Sequence, residues 1–174
     1  MNKQEQTSIF IVEDNKLFTL ALKADIEVAF AQRNIQIFSF ETGEECMEKF
    51  KEVKPEVVIL DYHLNSLNLD AANGLKVLDW IKKENNETNI IMLTSDDNID
   101  IATNAFKHGA CDYVVKTSTK FKKINYSLFN LFKMMEAKKE ARGYKQLLMA
   151  ASIGIALIVI GIAVIYAVSP SLLD

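Results

Sequence analysis

Five polar residues stand where short apolar runs stop, and a sixth lies within one. Glu13 and Asp14 follow Ile9 to Val12, Asp61 follows Val57 to Leu60, Thr94 follows Ile90 to Leu93, and Tyr113 and Lys116 lie in or just after Asp112 to Val115. Gathered in one place, three carboxylates, a hydroxyl and an ammonium suit the handling of a divalent cation and a phosphoryl group. Two carboxylates about 4 Å apart repel by roughly 4 kcal/mol at an effective dielectric of 20, which raises their pKa values or strains the fold unless a cation intervenes. Hard oxygen donors without His or Cys point to Mg²⁺, which takes one or two carboxylates, keeps waters and leaves room for a phosphate. Lys116 can meet a phosphoryl oxygen as a point charge, and Thr94 can donate a hydrogen bond to another. An acid placed between metal and ammonium is a candidate nucleophile for phosphoryl transfer.

The elements that must position these groups alternate along the chain. Strands are expected at Ser8 to Val12, Ile35 to Phe40, Val57 to Leu60, Ile90 to Leu93 and Asp112 to Val115. Helices are expected at Lys16 to Gln32, Gly43 to Val53, Leu75 to Lys83, Ile99 to His108 and about Lys120 to Ala141. In the first helix Leu17, Leu20, Ala21, Ala24, Ile26, Val28 and Phe30 predict a broad buried face, and in the second Cys46, Met47 and Phe50 share one side. Short apolar strands alternating with helices imply a parallel sheet covered on both faces, with its site at the carboxyl ends of the strands.

With these positions in this order, the stretch from about Ser8 to Glu136 resembles the CheY-like receiver domain of bacterial two-component response regulators. The resemblance implies an α/β fold, a doubly wound, flavodoxin-like (βα)5 unit with a five-stranded parallel sheet. It implies that Glu13 and Asp14 hold Mg²⁺ together with Asp61 and the backbone carbonyl of His63, and that Asp61 is the phosphoacceptor. It further implies that Lys116 bridges acid and phosphoryl group, that Thr94 and Tyr113 form the switch pair, and that the phosphodonor is a sensor histidine kinase or a histidine phosphotransfer protein. Two departures stand out. Asn65 occupies the position where the family usually has proline, and the first glycine afterwards is Gly74, so the loop Asn65 to Asn73 reads as carrying an insertion of about five residues. Thr117 stands where proline, often with a cis bond, usually follows the lysine, and the isomer of the Lys116–Thr117 bond is left open.

Beyond the receiver lies a different kind of segment. Leu147 to Val168 carries no charged side chain, and a helix of that length is about 33 Å long, enough to span a bilayer. Its twelve Leu, Ile and Val residues contribute on the order of −4 to −7 kcal/mol of insertion free energy. Lys133, Lys138, Lys139, Arg142 and Lys145 precede it and no basic residue follows, which places the receiver in the cytoplasm. The expected division is a receiver over 1–142 with its core at about 8–136, a juxtamembrane connector over 143–146, a transmembrane helix over 147–168 and a short non-cytoplasmic tail over 169–174. Ala150/Gly154 and Ala163/Ala167 have the small-xxx-small spacing of paired membrane helices, compatible with a homodimer.

The remaining composition narrows the function. A net charge of −3 with 25% charged residues gives no footprint for nucleic acid. Cys46 and Cys111 are far apart and read as free thiols, and two distant histidines give no transition-metal site. No helix-turn-helix or catalytic module follows the receiver. The expected function is a single-domain response regulator tethered to the cytoplasmic membrane, catalysing only its own aspartyl phosphorylation and dephosphorylation and signalling to a membrane-proximal output protein. The alternatives are an adaptor with a receiver fold that works without phosphorylation, and a phosphate sink or relay intermediate.

Overall fold

The computed structural model describes residues 6–64 and 72–168, with side chains characterised as far as residue 165. Residues 65–71, on which most of the loop expected to carry an insertion falls, and the tail after 168 lie outside the described residues. The chain divides into two units, Met1–Phe129 and Asn130–Asp174.

In the first unit strands and helices alternate: β1 (Thr7–Val12), α1 (Lys16–Ala29), β2 (Ile35–Phe40), α2 (Gly43–Val53), β3 (Val57–Asp61), α3 (Gly74–Glu84), β4 (Asn89–Thr94), α4 (Ile99–Lys107), β5 (Asp112–Val115), then the start of α5 (Lys120–Val168). All pairings are parallel, in the order β2-β1-β3-β4-β5. This is the expected α/β sheet, and its order reverses direction between β1 and β3. Such a switch point opens a crevice beyond the strand ends.

Both faces of the sheet are buried, so the strands read as continuous apolar runs and their alternation sorts side chains between two layers. Phe10, Val12, Val58, Leu60, Ile90 and Met92 join Cys46 and Phe50 of α2, Val77, Leu78 and Ile81 of α3, and Ala105 of α4 in one cluster. Ile9, Ile11, Ile59, Ile91 and Leu93 point the other way, and all five are fully buried. On that side α1 offers Leu22 and Ile26, and α5 offers Ile124 and Leu128. Asn125 of α5 donates to Asp25 of α1 at 2.7 Å, and Phe18 stacks on Phe121 with ring centroids 5.5 Å apart.

The first helix departs from the expected pattern. Its buried residues are Thr19, Leu22 and Ile26, while Leu17, Leu20 and Val28 are 80%, 65% and 80% exposed and Ala21 and Ala24 also face solvent. At about 100° per residue the two sets lie on nearly opposite sides. The helix is apolar on both faces, so periodicity alone could not say which one meets the sheet. It also ends at Ala29 rather than Gln32.

In the second unit, α5 continues through residues 143–146, the expected connector, as helix. It is the one helix among the described residues long and apolar enough to cross a membrane by length and composition, and none of its most apolar stretch is buried.

Candidate functional site

The first acids are held by the start of a helix. Immediately after β1, Asn15 caps α1 by accepting from the Phe18 N–H at 3.0 Å, and Glu13 Oε1 accepts from the Asn15 N–H at 3.3 Å. The cap leaves no slack between strand and helix, which keeps Glu13 and Asp14 beside the end of β3. There Asp61 closes the strand at 3% exposure, with Glu13 at 2%.

A glycine explains how α3 approaches so closely. A Cβ on Gly74 would stand 2.1 Å from the Asp61 carbonyl oxygen, so any side chain there must push the helix or the acid aside. The Gly74 N–H donates to the Tyr62 carbonyl at 3.0 Å, and Asn73 caps the helix by accepting from Lys76 N–H. The Gly74–Tyr62 hydrogen bond ties the start of α3 directly to the residue after Asp61. The segment before α3 is tied down as well, since Ala72 N–H donates to Glu44 Oε1 at 3.1 Å.

Lys116 completes the charge arrangement from the far side. Its Nζ lies 2.6 Å from Glu13 Oε2 and 2.9 Å from Asp61 Oδ2. The Phe18 ring stands 5.0 Å from the same ammonium, a cation-π contact. Burial would lower the Lys116 pKa, but the negative Asp61 and the hydrogen bonds to Glu13 and Asp61 outweigh it and hold the ammonium above its ordinary value. Burial and then the charge of Asp61 push the Glu13 carboxyl up, against the pull of Lys116 and of the Asn15 N–H. One ammonium does not balance this group of acids. Glu13, Asp14 and Asp61 each offer an oxygen within 4.8 Å of the other two, and Asp61 Oδ1 is buried without a hydrogen-bond partner. Residual negative charge, clustered hard oxygens and an orphaned acceptor fit a small divalent cation.

Thr94 and Tyr113 meet through a residue the sequence had not marked. Thr94 is fully buried at the end of β4, and its Oγ1 accepts from the Asp96 N–H at 3.1 Å. The Tyr113 hydroxyl donates to the Asp96 carbonyl at 2.8 Å, and the Asp96 carboxylate lies 3.2 Å from His63 Nε2. Burial raises the Tyr113 pKa, the Thr94 hydroxyl opposes the rise, and Asp96 and Asp97 add to it. Asp96 therefore joins the turn after β3, the end of β4 and β5. The structure brings Glu13, Asp14, Asp61 and Lys116 into one cluster, with Thr94, Tyr113 and His63 linked through Asp96. Phe18 and Asp96 were missed, and Gly74 was marked as the first glycine after the acid without its close approach to Asp61.

Among the described residues no peptide bond is cis, so Lys116–Thr117 is trans. Thr117 uses the N–H that proline lacks to donate to Val115 O at 2.8 Å, while Lys116 N–H donates to Thr94 O at 2.7 Å.

Residues 9–125 match the response regulator receiver domain family. The chain belongs to that family. The regulatory protein AtoC of Escherichia coli K12 is 24% identical over 140 residues, 80% of this chain and 28% of AtoC. The acid tolerance regulatory protein ActR of Rhizobium meliloti is 32% identical over 109 residues, 63% of this chain and 52% of ActR. The chain thus spans only about a quarter to a half of these relatives. The response regulator domain of Thermotoga maritima CheB superposes with a TM-score of 0.59 at 25% identity, over 75% of this chain and 96% of that one. Receiver domains bind Mg²⁺ at an acidic pocket and work with histidine kinases or phosphotransfer proteins, and this chain carries such an acidic group in Glu13, Asp14 and Asp61.

Proposed function

We propose that this receiver accepts a phosphoryl group on Asp61 from a histidine protein and is held at the cytoplasmic face of a membrane by the apolar part of α5. The observation that carries the reading is the state of Asp61: one oxygen 2.9 Å from Lys116, the other buried and unpartnered beside two further acids.

Glu13, Asp14, Asp61 and the backbone carbonyl of His63 would hold Mg²⁺, which when bound supplies charge neutralisation for the carboxylates and the phosphoryl oxygens. An Asp61 carboxylate oxygen attacks phosphorus, the P–N bond of the phosphohistidine breaks, and the imidazole leaves with its electron pair and takes a proton from solvent. Lys116 holds one phosphoryl oxygen and the Thr94 hydroxyl donates to another. Drawing Thr94 toward the phosphoryl group takes its hydroxyl away from Asp96 N–H, and Tyr113, held on the Asp96 carbonyl, is released to repack. The exposed stripe Leu17, Leu20, Ala21, Ala24 and Val28 begins beside this site, and supports docking of a helical phosphodonor there.

Tethering is supported by the uncharged run Leu147 to Val168, by the basic residues Lys133, Lys138, Lys139, Arg142 and Lys145 before it, and by Tyr144, three residues before its start, as an interfacial aromatic. The decisive assay uses the full-length chain in lipid nanodiscs with Mg²⁺ and acetyl phosphate. Intact mass should gain one phosphoryl group, none in Asp61→Asn, and Lys116→Ala should slow the gain by roughly 100-fold. A folded chain that binds Mg²⁺ and gains nothing refutes the phosphorylation reading in favour of an adaptor that works by binding alone. Fast return of the phosphoryl group to a histidine protein would instead favour a relay intermediate.

A further inference from the structure

We infer that Lys138 to Lys145 is a one-sided binding surface for anionic lipid headgroups, an inference that rests on the membrane reading above. Lys138, Arg142 and Lys145 recur at i, i+4 and i+7 on α5, so they fall within about 60° of one another around the helix. All three are exposed. Glu136 and Glu140, also one turn apart, fall on the opposite side. A requirement for membrane orientation alone is met by basic residues at any angle around the helix. Lys139 falls about 100° from Lys138, between the two sides, and Lys133, about 21 Å before Leu147, falls on the acidic side, so the one-sidedness belongs to Lys138, Arg142 and Lys145 in the turns nearest the apolar run and points to a partner that is negative and lies to one side.

Position along the axis identifies that partner. At 1.5 Å per residue, Lys145, Arg142 and Lys138 stand about 3, 7.5 and 13.5 Å before Leu147, where the apolar run begins. The first two lie within a Debye length of about 8 Å at physiological salt, and the third lies beyond it. Tyr144, 70% exposed, sits at the same level as a residue suited to the boundary between headgroup and acyl chain. A helix tilted toward its basic side brings all three cations down onto the headgroups and lifts Glu136 and Glu140 away from them. The occupant is the anionic leaflet itself, because the stripe is continuous with the segment that enters it. Each basic side chain within reach is then a factor of about five in association with an anionic lipid.

The test uses the full-length chain reconstituted in phosphatidylcholine vesicles with spin-labelled phosphatidylglycerol or spin-labelled phosphatidylcholine as probe, and reads the motionally restricted fraction of each label. The wild type should restrict the phosphatidylglycerol probe several-fold more than the phosphatidylcholine probe at 0.15 M salt, and the preference should fade at 1 M. Losses should be graded, with Lys145→Gln largest, Arg142→Gln next and Lys138→Gln least. The paired change Lys138→Glu with Glu140→Lys keeps the net charge and breaks the one-sidedness, so it should weaken the preference. An undiminished preference in the paired variant overturns the one-sided surface. Equal restriction of both probes by a chain that floats with the vesicles overturns the lipid surface while leaving the tether standing. A chain that does not float overturns the tether and the surface together.

Discussion

Isoleucine is placed in two opposite ways in this molecule. In the sheet Ile9, Ile11, Ile59, Ile90 and Ile91 are fully buried, whereas Ile153, Ile155, Ile158, Ile160, Ile162 and Ile165 on α5 are 49% to 64% exposed. The sheet residues are covered by helices of the same chain. Those of α5 form a run more apolar than any strand and receive no such cover. At about 25 cal/mol per Å² of apolar surface, leaving that run in water is unfavourable, and a bilayer removes the cost without any protein partner. The difference teaches that exposure, more than composition, distinguishes a core element from one whose apolar surface its own chain leaves uncovered.

Charge insertion sharpens the comparison most. Ile59→Arg buries an unpaired cation between two layers and should cost more than about 4 kcal/mol, unfolding the receiver wherever the chain is placed. Ile155→Arg with Ile158→Arg should leave the receiver's urea midpoint unchanged. The pair removes about 6 to 8 kcal/mol of insertion free energy, roughly cancelling what the apolar residues supply, so the protein should move from the membrane to the soluble fraction. If the double variant instead unfolds the receiver, the apolar run belongs to its core and the comparison collapses.

Gly74→Ala tests the other end of the sheet. The added methyl meets the Asp61 carbonyl, so the start of α3 or the end of β3 must shift, and a loss of about 1 to 3 kcal/mol in urea unfolding is expected. Phosphorylation by acetyl phosphate should fall with it, since the displaced backbone is that of the acceptor. An unaltered rate would mean that the seat of Asp61 tolerates movement, and the close approach would then serve packing alone.

Much of this was legible before any coordinates. Residue type and order place Glu13, Asp14, Asp61, Thr94 and Lys116 because each follows or ends an apolar strand, with Tyr113 inside the last one, and a parallel sheet brings strand ends together whatever the details of packing. Asp96 was not legible, because its links to Thr94 and Tyr113 run through backbone groups, N–H and C=O, which any residue type could supply, and only its contact with His63 uses the side chain. The buried side of α1 was misread for a different reason. Hydrophobic periodicity reports that a helix has an apolar face, and α1 has two. The richer stripe, Leu17 to Val28, is the one in solvent, while the sheet is met by the narrower line of Thr19, Leu22 and Ile26.

That misreading defines the last comparison, in which the outer variants carry the smallest effect. Leu22→Ala removes a fully buried side chain and should cost about 2 to 5 kcal/mol. Leu20→Gln and Val28→Gln, apolar residues of the same helix on its outer side, should each change the urea midpoint by no more than the equivalent of about 0.5 kcal/mol. Acetyl phosphate needs no docking surface, so its reaction with Asp61 should proceed in the two outer variants at the wild-type rate. With a phosphohistidine protein docked on the stripe, as proposed, transfer to the same acid should slow. Loss with both donors would locate the defect in the site itself, whereas loss with the protein donor alone separates the outer stripe of α1 as a recognition surface from the inner one as core.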